Sequence, residues 1–470
     1  MARSILPLVL CIGGIVVSGT YTFGEEAVVS VEVDPTTIIR ADFMGFGVEW
    51  DSRGYGAAGI TDQDFEVIRS RVDWMRLPVA RIMMQSKWCY KGNDRYDWDD
   101  PQMKALYRHL DFCQERGITV LLTDWGIEPG WLNLPDVSKV EELKYAEIIA
   151  TYMDHLLNTK RYTCIKYFIL VNEPNYEVRD YGRWKSAVTN VSAAFRKRGL
   201  DRKITFMGSD TSGKDDWHRN AVDQLQTVFG AYDIHCYASE DMARTGRVFD
   251  FVRTCWAYAL ANDPQAAGKP LIVAEAGFWV PGSSASANPL HLDPRYGILM
   301  ADYAVQAANA GSWAVLAWML DDNSHPEFSW GMWKSKAEGL AVKPWFYTWA
   351  LLVRSFQPGC AIVKAEVDSK DVRVLAARLD EKTSSGKESW AFCVVNRADA
   401  PRTVRLHVKG GPRLNLNRYV YGAASARADN DGFPIALDNR TYDLGEGVEI
   451  PCEPNSVLIL SPTGSETNSQ

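Results

Sequence analysis

The run Tyr167-Phe-Ile-Leu-Val-Asn-Glu-Pro-Asn175 sets five apolar residues directly before an amide and a carboxylate. A second run, PLIVAEAGFW (Pro270 to Trp279), does the same with Glu275. A near-continuous apolar strand is buried on both faces, as in a parallel sheet. A charged group at the end of such a strand is costly unless it is paired or used. Working outward from these two runs, apolar strands alternate with amphipathic helices. The strands are Phe43 to Trp50, Trp74 to Ile82, Thr119 to Trp125, Ile165 to Val171, Ile204 to Gly208, Tyr232 to Tyr237, Leu271 to Glu275 and Trp313 to Met319. Between the fourth and fifth, Trp184, Val188, Val191 and Phe195 fall on one helical face. Eight such units in the ~250–300 residues typical of the architecture predict an α/β fold of the closed (β/α)8, or TIM-barrel, type. An open doubly wound sheet is the rival, and it is marked by a glycine-rich phosphate loop after the first strand, which is absent.

The rhythm changes at both ends. Arg3 and the apolar run from Ile5 to Val17, followed by small residues up to Gly24, predict a signal peptide over residues 1–24 and hence a secreted, periplasmic or extracellular protein. The run is short for a membrane span, so no membrane partner is expected after its removal. Residues 25–40 contain one strand, Val28 to Val33, that the barrel count does not use. Residues 41–358 hold the barrel, ending in a helix over Trp345 to Phe356. Residues 359–462 then read as short strands and polar turns, an all-β sandwich domain into which the orphan strand can pair. Residues 463–470 are polar and are expected to be disordered. Cys89, Cys113, Cys164, Cys236, Cys255, Cys360, Cys393 and Cys452 remain after signal removal. An even count in an exported chain permits disulfides, although Cys113, Cys236 and Cys255 lie in apolar patterns that favour buried thiols.

Active sites of TIM barrels are built where the strands end. The strand ends deliver Glu49 and Trp50, Arg76, Asp124 and Trp125, Asn172 and Glu173, His235 and Tyr237, Glu275, and Trp318. Two glutamates from nearly opposite strands make a carboxylate pair, which is what cleavage of a glycosidic bond requires. One carboxyl protonates the leaving oxygen and the other either attacks the anomeric carbon or activates water. A gap of ~5–5.5 Å gives retention and ~6.5–9.5 Å gives inversion.

At these residues the chain resembles clan A of the glycoside hydrolases. Asn172-Glu173-Pro174 matches the clan's Asn-Glu after the fourth strand, Glu275 its glutamate after the seventh, His235 and Tyr237 its His-x-Tyr on the sixth. Arg76, in MRLPV, matches its second-strand arginine. The helix from Lys343 to Gly359 also resembles the barrel-closing segment of several clan families. The resemblance covers roughly Gly45 to Gly359, and the VNEPN run with a β-domain behind it is nearest to family 39. It implies a retaining enzyme with Glu173 as acid/base and Glu275 as nucleophile. Asn172 would donate to the substrate's 2-hydroxyl, Tyr237 would bond the nucleophile, His235 would orient the site and Arg76 would keep Glu275 ionised. Trp318 would floor the sugar pocket, and Glu49, Trp50, Asp124 and Trp125 are subsite candidates. Trp88, Trp131, Trp279, Trp330 and Trp333 fall on loops and can stack on sugar or pack internally.

Composition agrees with a carbohydrate partner. The 17 Trp and 20 Tyr supply faces that stack on sugar rings. A net charge of -8 without basic runs argues against nucleic acid. No Cys or His spacing matches a zinc site, and the seven His lack the His-x-His of metal-dependent barrel hydrolases, so neither metal nor cofactor is expected. A non-catalytic carbohydrate-binding barrel and a transglycosylase using the same glutamates are the alternative readings.

Overall fold

The computed structural model describes residues 28–213, 216–325, 328–379, 388–422 and 426–462. The proposed signal peptide and C-terminal tail lie outside the described residues. Strand β1 (Val28–Phe43) runs straight into β2 (Gly45–Glu49), and the two serve different sheets. Strands β2, β3 (Val79–Met84), β4 (Thr119–Asp124), β5 (Ile165–Leu170), β6 (Thr205–Ser212), β7 (Ala231–Ala238), β8 (Leu271–Phe278) and β9 (Ala314–Ala317) close a parallel barrel in sequence order. Successive side chains of a strand point to opposite faces, and the barrel shows it. Val79, Leu121, Ile169, Met207, Ala231, Ile272, Ala274, Ala314 and Leu316 fill the interior as one cluster. Phe46, Val48, Phe168, Leu170, Tyr232 and Ile234 point outward into the helical layer. Glycine is needed in β2 because a Cβ on Gly47 would come within 2.4 Å of the Val79 carbonyl oxygen.

The second strand departs from the sequence reading. Trp74 and Met75 complete the helix Asp62–Met75, which opens on a capping box between Thr61 and Asp64. Arg76 is its left-handed C-cap, with φ 53°, and β3 begins only at Val79. The apolar residues of this segment belong to a helix end and a strand start, separated by Pro78.

Strands β10 (Cys360–Val367), β11 (Val372–Leu379), β12 (Ser389–Asn396), β13 (Arg402–Val408), β14 (Arg413–Tyr421), β15 (Asp438–Asp443), β16 (Val448–Cys452) and β17 (Ser456–Pro462) join β1 in one nine-stranded sheet, ordered β15-β14-β17-β12-β11-β10-β1-β13-β16. The strand ahead of the barrel thus pairs antiparallel with β10 and parallel with β13. Both wings of the sheet, Leu416 and Tyr442 on one and Val404 and Ile450 on the other, contribute to a single buried cluster. The sandwich-like core is therefore made by one continuous hydrogen-bonded sheet. Its opposite face, through Leu375, Ala377, Cys393, Val395 and Ile459, packs into the barrel's outer core. The eight described cysteines are all buried free thiols. No helix among the described residues is long and apolar enough to cross a membrane.

Ion pairs at Asp302 tie the two domains. Asp302, on the helix Arg295–Asn309, is buried and accepts from Arg373 of β11 at 2.6 Å and from Gln306 at 3.1 Å. Removing one partner of such a pair strands the other charge. We expect Asp302→Ala to cost about 3–5 kcal/mol in urea unfolding. The double variant Asp302→Leu/Arg373→Met should recover most of that loss.

Candidate active site

The two-residue period of the strands decides which side chains enter the barrel mouth. Arg81 shares the face of Val79 and Met83, and Asp233, His235 and Tyr237 share that of Ala231. Glu49 shares the face of Gly47, whereas Trp50 and Asp124 point the other way. At the end of β5 the strand geometry breaks. Val171 and Glu173 adopt φ of 70° and 42°, and Asp210 on β6 has φ 55°. A positive φ is rare outside glycine and most costly for a β-branched residue such as Val171. Such backbone clusters where a site must be held in place, and here it presents Asn172 and Glu173 to the mouth.

The buried guanidinium of Arg81 organises the centre. Its Nη1 donates to Glu275 Oε1 at 2.5 Å, and its Nη2 donates to Asp210 Oδ2 at 2.8 Å and to Asn172 Oδ1 at 3.0 Å. Tyr237 donates its hydroxyl to Glu275 Oε2 at 2.6 Å. His235 faces three carboxylates: Nε2 lies 2.9 Å from Asp210 Oδ1, and Nδ1 lies 3.0 Å from Glu173 Oε1 and 3.5 Å from Glu275 Oε2. A carboxylate oxygen from each glutamate and a ring nitrogen of His235 all lie within 4.8 Å of one another. Burial pushes the Glu275 carboxyl above its ordinary range, while His235 and Arg81 pull it back. Burial alone would depress His235, yet Asp210 and Glu275 raise it well above an ordinary histidine.

Around this core lies a cleft of about 580 Å³. Trp125, Asn172, Glu173, Tyr237, Glu275 and Trp318 line it, together with Tyr176, Glu177, Trp279, Phe328 and Trp330. Trp279 is 51% exposed and stacks at 6.1 Å on Trp330, which packs edge-on against Tyr237. Trp131, 44% exposed, packs edge-on against Trp125. Trp279 thus carries an exposed aromatic face at the cleft, whereas Arg53 and Lys87 lie over the Trp131 ring at 4.9 and 5.4 Å from its centroid. Trp88 and Trp333 are buried in the core.

The structure brings Glu173, Glu275, Asn172, His235, Tyr237, Trp125 and Trp318 together. It does not bring Arg76, which is exposed at the opposite end of the barrel from the strand termini. The arginine at the site is Arg81. The signal for it was present: a lone arginine inside the apolar strand VARIMM, in phase with inward-facing residues. Trp50 lies outside the barrel, its ring against Phe65, His109 and Phe112 and its indole N–H on the Tyr55 hydroxyl at 2.7 Å. Asp124 is also turned outward. It accepts from Ser86 and Tyr152 at 2.7 Å each, from the Gly126 amide at 3.0 Å and from the Tyr145 hydroxyl, so it fixes β4 to the adjacent helix. Asp210 and Glu177 are site residues that the sequence reading missed. Asp210 sits in a polar stretch, GSDTS, with no apolar run to frame it. Glu177 stands one helical turn after Glu173, and burial raises its pKa.

Glu49 points inward but is fully buried beneath the cleft, in a group with Asp51 and His325. Arg53 Nη1 lies 3.3 Å from His325 Nδ1. A guanidinium can only donate, so Nδ1 accepts and Nε2 carries the proton, 3.4 Å from Asp51 Oδ2. That protonated nitrogen is closed to a cation, which needs a lone pair. Burial pushes Asp51 up to about 7, with His325 opposing and Glu49 adding to it, and pushes Glu49 well above the usual range.

Facing glutamates at the strand ends of a parallel barrel are the arrangement on which clan A glycoside hydrolases work, and this chain is a glycoside hydrolase of that clan. The sequence model of the cellulase family, glycosyl hydrolase family 5, matches residues 42–333, more than half of the chain, and the chain belongs to that family. Its fold is shared with a family 30 endoxylanase from Clostridium papyrosolvens (TM-score 0.65, 13% identity, 92% of this chain and 99% of that one). It is shared too with an α-L-arabinofuranosidase from Thermotoga maritima (TM-score 0.65, 15% identity, 92% and 99%). A family 39 β-xylosidase from Caulobacter crescentus is similar as well (TM-score 0.62, 14% identity, 92% and 100%). At these identities the likeness is one of fold, and it extends through the β domain. No curated protein sequence matches the chain.

Two outcomes follow from the geometry. Arg81→Lys replaces a fork bound to three partners by a point donor, and should lower kcat/KM by about 10²–10³-fold, whereas Arg76→Ala should leave it unchanged. Asp51 gives a stability test. Its folded pKa of about 7 lies above the ordinary 3.8, so between those values the folded chain binds more protons than the unfolded one. Asp51 therefore costs stability as pH rises through that window. Urea midpoints measured from pH 4 to 7 should favour Asp51→Asn over the wild type increasingly as pH rises.

Proposed function

We propose that this glycoside hydrolase cleaves an oligosaccharide or polysaccharide with retention of configuration, Glu275 acting as nucleophile and Glu173 as acid/base. The observation that carries the reading is the approach of the two glutamates, whose oxygens come within 4.8 Å with His235 between them. An approach this close, under the ~6.5–9.5 Å carboxyl separation that accommodates a water in inverting enzymes, favours direct attack. Glu275 is held on one oxygen by Arg81 and on the other by Tyr237, which favours its ionised form and aims it. Glu173 is half-buried and opens to the cleft. In the first step a Glu275 oxygen bonds the anomeric carbon as the C–O bond to the leaving group breaks, and the Glu173 proton passes to that oxygen. In the second, Glu173 takes a proton from water, whose oxygen displaces Glu275. The Asn172 carbonyl oxygen is taken by Arg81, which leaves its amide N–H groups for the sugar's 2-hydroxyl. The exposed aromatic face of Trp279 beside the carboxylates favours a chain of several sugars. The charged-then-apolar N-terminus supports export of the protein to reach such a substrate.

The test is the anomeric configuration of the first-formed product by NMR, once a screen of aryl glycosides and polysaccharides supplies a substrate. Retention is expected, and an inverted product would sink the assignment. Glu275→Gln should abolish turnover. Glu173→Ala should spare activated aryl glycosides far more than substrates with poor leaving groups, and azide should partly restore it by attacking the glycosyl-enzyme without base assistance.

A further inference from the structure

Asp210 is fully buried and does not line the cleft, yet it touches Arg81, His235 and the backbone of Glu173. Its Oδ2 accepts from Arg81 Nη2 at 2.8 Å and from the backbone N–H of Glu173 at 3.2 Å, and its Oδ1 faces His235 Nε2 at 2.9 Å. Its own N–H donates to Asp233 Oδ1 at 2.9 Å. We propose that Asp210 is a positioning residue that holds His235 as an imidazolium, donating through Nε2 to Asp210 and through Nδ1 to Glu173, so that Glu173 Oε1 is engaged and Oε2 is the oxygen that exchanges the proton with substrate. The proposal rests on the retaining assignment for its kinetic consequence, but not for the charge on His235.

The argument is one of donors and acceptors. Oδ2 of Asp210 already accepts from two N–H groups, one of them cationic, which keeps the carboxylate ionised. An ionised carboxylate can only accept, so the proton between Asp210 and His235 belongs to Nε2. On the other side Nδ1 lies 3.0 Å from Glu173 Oε1 and 3.5 Å from Glu275 Oε2; with the acid proton of Glu173 on Oε2, both of these oxygens are acceptors and Nδ1 carries a second proton. The groups around the imidazole are Asp210 on β6, Glu173 after β5, Glu275 on β8, and Asp233 and Tyr237 on its own strand, with Arg81 behind Asp210. Asp210 and Glu275 share a single cation, Arg81, so a second cation between them is electrostatically favoured. That cation lies beside both catalytic carboxyls and favours the ionised form of Glu275.

Asp210→Asn separates this role from a structural one. The Asn oxygen must still face the N–H groups of Arg81 and Glu173, so its NH2 turns toward His235. Nε2 becomes an acceptor, and His235 keeps one proton, on Nδ1, and no charge. The acid limb of the kcat/KM pH profile, set by Glu275, should then move to higher pH, because the lost imidazolium charge lies against that carboxyl while the lost Asp210 charge lies behind the ring. Lower activity at every pH with an unmoved acid limb would overturn the proposal. A variant that fails to fold leaves a direct measurement on the wild type: ¹⁵N NMR of the histidine rings, with His235 assigned by its loss in His235→Gln. Both nitrogens of His235 should be protonated at neutral pH, and an unprotonated Nδ1 would refute the proposal whatever the stereochemistry of the reaction.

Discussion

A single guanidinium, buried on the barrel axis side of β3, is the constraint around which the site is built. Arg81 loses its hydration completely, and burial alone would depress its pKa, but Asp210 and Glu275 more than reverse this. Removing a partner from such a cluster leaves an uncompensated charge in a dry interior. Its partners therefore have fixed places: Glu275 on β8, Asn172 beyond β5 and Asp210 on β6. The planar fork specifies direction as well as distance, so one residue orients side chains from three strands. His235 and Tyr237, two residues apart on β7, then complete the ring of contacts because the strand period puts both on the same face.

The backbone conforms to this demand. Within the barrel body the interior is filled by aliphatic residues. At the mouth the backbone takes left-handed conformations at Val171, Glu173 and Asp210. These local costs are borne by a rim that is otherwise tightly packed: Met83, Trp125, Leu132, Trp318, Met319 and Trp330 form their own buried cluster around the cleft. Three of these residues, Trp125, Trp318 and Trp330, also line the cleft. The nine-stranded sheet braces the far side through the helix carrying Asp302 and through Tyr421, whose hydroxyl bonds the Pro294 carbonyl at 2.9 Å just ahead of that helix. Fixing that helix fixes its connection to β9, and with it Trp318.

What the sequence by itself determined was whatever depends on local periodicity. Apolar runs capped by a carboxylate marked β5 and β8 and hence Glu173 and Glu275, and the alternation of strand with amphipathic helix set the barrel count. The orphan strand at Val28 to Val33 pointed to the sheet that takes it. Errors arose where two periods met or where the phase along a strand decided the outcome. Trp74 and Met75 are apolar in a helix as well as in a strand, so Arg76 was displaced from a helix cap to a strand end. Trp50 and Asp124 stand next to Glu49 and Trp125, one step out of phase, and that step turns them from the mouth to the helical layer. Only the tertiary structure decided which arginine enters the barrel, and that Asp210, from a stretch without apolar framing, joins the cluster. Those outcomes are set by the convergence of strands distant in sequence and by electrostatic pairing in a space without water, neither of which leaves a periodic trace along the chain.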